Sequence, residues 1–83
     1  MRDGGRCQKC SGEGTDVHHR MRRRDGGHGM WNLVLLCRTC HSWAHANPEQ
    51  ARDQGYIISA FLRMEEASMV PLRDWNGTMR LLT

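Results

Sequence analysis

Cys37-Arg38-Thr39-Cys40-His41-Ser42-Trp43-Ala44-His45 is the stretch on which the reading of this chain turns. It joins two cysteines in C-x-x-C spacing to two histidines four residues apart. Residues i and i+4 of a helix share a face, so His41 and His45 can grip one ion together. Ala44 and Ala46 favour a helix from Arg38, and Asn47-Pro48 must end or bend it.

Outward from that stretch, a second pair, Cys7-Gln8-Lys9-Cys10, completes a repeated C-x-x-C pattern. Two such turns reach one tetrahedral ion, and this spacing is a strong zinc signature. The alternatives are two disulfides, or a zinc shell that takes His41 in place of one cysteine. No apolar stretch of signal-peptide type follows Met1 and no run is long enough to span a membrane. That predicts a reducing, cytoplasmic setting without a membrane partner, in which thiols stay free for metal. A closed four-thiolate shell is structural. Its binding energy, roughly 10–16 kcal/mol in zinc-finger peptides, acts as folding energy.

The need for such a staple follows from size. Eighty-three residues, 39% apolar and 6% aromatic, predict one small domain with a marginal core. The net charge of +3 is uneven: residues 1–46 hold eight Lys and Arg against four Asp and Glu, residues 47–83 four against five. Within the basic half, Arg20, Arg22, Arg23 and Arg24 read as a phosphate grip, with a solvated loop as the plainer alternative.

Four histidines flank the cysteine elements. Thr15–Arg20 reads as a short strand, and adjacent side chains on a strand point oppositely. His18 and His19 therefore divide: one enters a metal shell while the other faces substrate. Ser42 stands where an H-E-x-x-H motif would carry its glutamate, so a base must come from elsewhere. An ion with three imidazoles keeps open positions, and a neutral fourth imidazole can deprotonate water. His28, amid glycines, reads as an ordinary residue.

The remaining chain is read by pattern. Met1–Arg6 is a frayed lead-in and 21–30 a mobile loop. Leu33–Leu36 is a buried strand. Asn47-Pro48 starts a helix that Gly55 closes. Tyr56–Ile58 is a strand, and 60–69 stays open between helix and loop. Asn76-Gly77 turns a hairpin between Val70–Trp75 and Thr78–Thr83, with Pro71 at an edge.

C-Q-K-C at 7–10, V-H-H-R at 17–20, N-L-V-L-L-C at 32–37 and C-R-T-C-H-S-W-A-H at 37–45 together resemble the HNH family of His-Me finger, or ββα-metal, nucleases. The resemblance spans Arg6 to about Asn47. It implies an α+β fold: a ββα-metal core over 6–47 with a structural four-cysteine zinc site, and a C-terminal helix and β-hairpin over 48–83. It implies that His19 is the general base and that Asn32 orients it and ties down the loop. His18, His41 and His45 would ligate the catalytic divalent ion (Mn²⁺, Mg²⁺, Co²⁺, Ni²⁺ or Zn²⁺), and Cys7, Cys10, Cys37 and Cys40 the structural zinc. The implied activity is metal-dependent hydrolysis of DNA phosphodiesters, by a monomer or a homodimer. The runs N-P-E-Q-A-R-D-Q-G-Y-I-I-S at 47–59 and V-P-L-R-D-W at 70–75 resemble, less specifically, tails of small actinobacterial and phage HNH proteins. That likeness implies a packaging partner such as a terminase, and a role for Trp75 in packing. The competing reading is a zinc-stabilised nucleic-acid-binding or packaging module without chemistry.

Overall fold

The computed structural model describes residues 2–83; Met1, the first residue of the expected frayed lead-in, lies outside them. The architecture is the mixed helix-and-strand type. Strand β1 (Asp16–His19) pairs antiparallel with β2 (Leu33–Leu36), in the register His18 opposite Val34 and Asp16 opposite Leu36. Helix α2 (Arg38–Ala46) follows directly, so two strands and a helix form the unit that positions the site. The connection between β1 and β2 contains a helical turn, α1 (Arg23–Gly26), and a 3₁₀ turn at Met30–Asn32. That segment is more ordered than the mobile loop its glycines and arginines suggest.

Local chemistry sets the boundaries of α2. Cys37 caps its start, its sulfur accepting from the Cys40 amide at 3.4 Å. At the far end the Asn47 amide closes on the Trp43 carbonyl, and Pro48 begins a new helix, α3 (Pro48–Asp53). Gly55 ends it with φ +84, beside the Pro71 carbonyl; a Cβ there would lie 2.0 Å from that oxygen, so glycine is required.

The main core joins Val34 and Leu36 of β2, Ala44 of α2, Ala51 of α3, and Tyr56, Leu72 and Leu82, around the buried Cys7 and Cys40. Val34, Leu35 and Leu36 are all buried, because the N-terminal segment covers the second face of β2. Asp3 does this work: its carboxylate accepts from the Leu35 amide at 2.9 Å and from Arg2. The lead-in is therefore fastened from Arg2 onward, contrary to the expected fraying. A smaller cluster of Met21, Ile58 and Ala67 lies under α4 (Met64–Ala67), the helix within the segment left open above.

Three expectations for the C-terminal part need correction. Tyr56–Ile58 is not a strand. The Tyr56 amide bonds to Ala51, its carbonyl takes the His18 ring, and the Ile58 amide bonds to Arg20. No neighbouring strand meets this segment, so no ladder forms. The Asn76-Gly77 hairpin exists but is short, pairing β3 (Leu72–Arg73) with β4 (Met79–Arg80). Asp74 organises its turn by accepting from the Asn76 and Thr78 amides. Trp75 does not pack into the core; it lies at the surface under the Arg6 guanidinium, 5.2 Å from the ring centre.

Candidate active site

Helix α2 presents two sets of donors on neighbouring faces. Cys40 and Ala44 face the core, while His41 and His45, each one position on, face outward beside β1. The structure thus gathers two separate groups: Cys7, Cys10, Cys37 and Cys40, and His18, His41 and His45. In each group the donor atoms lie within 4.8 Å of one another.

The four sulfurs form no disulfide. Cys10 and Cys37 lie 3.8 Å apart, Sγ to Sγ. A tetrahedral ion with bonds of about 2.3 Å to sulfur needs an edge of about that length, so the set fits a thiolate-bound metal. Burial raises the Cys7 thiol, but backbone N–H groups of Cys37, Cys10 and Lys9 outweigh it and bring its pKa to about 7. For Cys40, burial and the three neighbouring sulfurs act in one direction, upward. Four clustered thiols cannot all ionise without a cation among them, which is what such an ion supplies.

The imidazole group is built differently. Strand alternation turns His18 inward, where it is 3% exposed. Its Nε2 donates to the Tyr56 carbonyl at 2.6 Å, which leaves Nδ1 as the ring nitrogen available to an ion. Burial, reinforced by the neighbouring imidazoles, pulls its pKa down to about 4, so the ring is neutral near pH 7. His41 donates from Nδ1 to Asp16 at 2.8 Å, which leaves Nε2. That atom lies 3.2 Å from the His45 Nε2. A tetrahedral ion with bonds of about 2.0–2.1 Å to nitrogen needs an edge near 3.3 Å. Two of the three rings are therefore held from behind by an oxygen acceptor, the arrangement that fixes tautomer and aim in metal-binding histidines. The three rings leave part of a metal's coordination sphere to other donors.

His19, next on the strand, is not one of this cluster's rings. Burial, with His28 and Arg23 adding to it, lowers its pKa and favours the neutral ring. Its Nε2 lies 3.2 Å from the His28 Nδ1. His18, His19 and His45 line one open groove of about 590 Å³ with Arg22, Arg52 and Phe61.

Two sequence assignments change here. Arg20 is not a free phosphate grip: it is 2% exposed, and its guanidinium donates to the carbonyls of Gly55, Trp31 and Val70 at 2.5–2.8 Å. Burial pulls its pKa down to about 10, still protonated near neutrality. Arg22, Arg23 and Arg24 remain exposed. Asn32, fully buried, does not hydrogen-bond the His19 ring. Its amide accepts from the Met21 N–H and donates to the Met21 and Gly27 carbonyls, pinning both ends of the loop that carries α1. Gly26 packs against it, where a Cβ would meet its Nδ2 at 2.8 Å. Asn32 also accepts from the Arg20 amide through its backbone carbonyl at 2.9 Å, which ties it to the residue after His19.

Asp16, the Tyr56 carbonyl, His28 and Arg52 were not singled out from the sequence. For Asp16 a signal existed: it lies two residues before His18, on the same strand face. Its hydrogen bond from His41 holds the carboxyl at about 2, and Arg38 adds a further bond at 3.0 Å. The other three are placed by tertiary contacts that no local pattern announces.

Searches of curated proteins and of solved structures return no match to this chain. A protein-family model described as HNH endonuclease matches residues 7–47, the span that holds both donor sets and strands β1 and β2. With that match and the two strands and helix that carry it, residues 7–47 form a domain of the HNH endonuclease type.

Proposed function

We propose that this chain is a metal-dependent endonuclease that hydrolyses phosphodiester bonds in DNA, with His19 as general base. In this reading His18, His41 and His45 hold the catalytic divalent ion, and the four cysteines hold zinc. The observation that carries it is the convergence of three imidazoles, two of them oriented by Tyr56 and Asp16, beside a fourth imidazole in the same groove. A binding module without chemistry needs the sulfurs and the arginines but not this convergence.

The residues divide the work. Neutral His19 accepts a proton from the attacking water; burial, with His28 and Arg23 adding to it, favours the neutral ring that a general base needs. His28 meets the His19 ring and limits its rotation. Arg22, Arg23 and Arg24 face solvent from one loop and serve as phosphate contacts. A divalent ion in this site supplies charge neutralisation for the phosphate and the departing oxygen. The donor set is all imidazole, which suits Mn²⁺, Co²⁺ or Ni²⁺ better than Mg²⁺.

Incubation of supercoiled plasmid with the protein and each of these four ions tests the proposal. Nicked or linear DNA is expected with Mn²⁺, Co²⁺ or Ni²⁺, less with Mg²⁺, and none with chelator. His19→Ala should slow cleavage roughly 10²–10⁴-fold. Intact plasmid with all four ions, or undiminished cleavage by His19→Ala, contradicts the assignment.

A further inference from the structure

Phe61 is 98% exposed, more than any other large apolar side chain among the described residues. Its position is fixed by what flanks it. Ile58, three residues before, is buried with Met21 and Ala67, and Leu62, the next residue, packs against the same cluster. Between them the Phe61 amide bonds to the Ser59 hydroxyl at 3.2 Å and the Leu62 amide to the Ser59 carbonyl at 3.2 Å. A phenyl ring is thus presented to solvent on a braced turn, while its neighbour takes the core position.

The ring lines the groove that holds His18, His19 and His45, together with Arg22 and Arg52. Both arginines are exposed, and neither joins a salt bridge among the described residues. No carboxylate lines that groove among the described residues. A ligand that suits it carries repeated negative charge and a flat apolar face. A nucleotide chain has both.

We propose that Phe61 is a stacking platform for a nucleobase beside the scissile phosphate, with Arg52 contacting a neighbouring phosphate, so that strands with an open base face are the preferred substrate. This rests on the nuclease reading above and adds the class of DNA: single-stranded or locally unpaired. Stacking of a base on an aromatic ring is tolerant of sequence and lost on truncation. Arg52 and Phe61 lie outside residues 7–47, so this wall of the groove comes from the chain's own C-terminal segment.

The test uses short oligodeoxynucleotides carrying 2-aminopurine, single-stranded and as the matched duplex. They are bound in Mn²⁺ by the full-length His19→Ala protein, which slows cleavage. Binding should quench the fluorophore in the single strand. Adding Phe61→Ala should relieve the quench and weaken binding about tenfold. Phe61→Leu should behave like Phe61→Ala, and Phe61→Trp should retain both quench and affinity. Since the ring is exposed, these variants should match the parent in thermal unfolding. Unchanged affinity and quench in Phe61→Ala, or a loss confined to the duplex, overturns the proposal. Plasmid cleavage by the wild type, run in parallel, separates the two claims. Cleavage without a Phe61 effect removes the platform and leaves the nuclease. A Phe61-dependent quench without cleavage removes the nuclease and leaves the platform.

Discussion

The four-sulfur cluster and the three-imidazole cluster share helix α2 and differ in almost everything else. The sulfurs supply four donors, and Cys7 and Cys40 are sealed into the main core. The imidazoles supply three, and His45 stands exposed at the edge of an open groove. A shell completed by protein can only hold, whereas one left incomplete can take up water or a phosphate oxygen. In the proposed reading one turn of helix serves both stability and chemistry, because Cys40 and His41 are adjacent and face different ways.

The largest expected effect breaks this contrast from the sulfur side. Cys40→Ser should unfold the protein at ambient temperature, since structural zinc contributes roughly 10–16 kcal/mol in small zinc domains against total stabilities of about 5–15 kcal/mol. His45→Ala should leave the melting temperature within a few degrees, yet abolish ion uptake at the groove. Circular dichroism melts of both variants check this; a folded Cys40→Ser protein or an unfolded His45→Ala protein reverses the roles assigned to the two clusters. Next in size is the support behind His41. Asp16→Asn should weaken binding of Co²⁺ at the groove by about 10–100-fold without unfolding the chain, read by spectroscopic titration; unchanged affinity means that the Asp16–His41 bond does not aim the ring. The smallest effect concerns the loop arginines. Each of Arg22→Ala, Arg23→Ala and Arg24→Ala should lower the slope of log affinity against log salt by about one if its side chain contacts a phosphate. Binding isotherms across salt concentrations decide, and unchanged slopes return that residue to the solvated surface.

Much of this arrangement was legible because it is local. Paired C-x-x-C turns, adjacent histidines before an apolar strand and an i, i+4 pair after it carry their geometry in their spacing. Strand β2 and the helix starting at Arg38 needed no tertiary information. Arg20 was misread although the signal was present. Asp16 and His18 alternate along β1 and Arg20 follows directly on its end, so the face that buries His18 also turns Arg20 inward. The arginine run beside it drew Arg20 into the wrong group. Tyr56 could not be read: its carbonyl meets His18 across 38 positions of sequence, and its apolar neighbours suggested a strand that has no partner. The lead-in was missed for a similar reason, since the bond from Leu35 to Asp3 spans 32 positions. Residue type indicated which side chains gather into the two donor sets; the oxygen atoms that aim the imidazoles emerged only in three dimensions.

Anomalous diffraction from crystals grown with zinc and soaked in Mn²⁺ puts the two-ion assignment to its sharpest test. Two distinct ions are expected: zinc among the sulfurs of Cys7, Cys10, Cys37 and Cys40, and manganese on His18 Nδ1, His41 Nε2 and His45 Nε2, with His19 unligated. A single ion shared between sulfur and His41, or a second ion whose shell His19 closes, would contradict it.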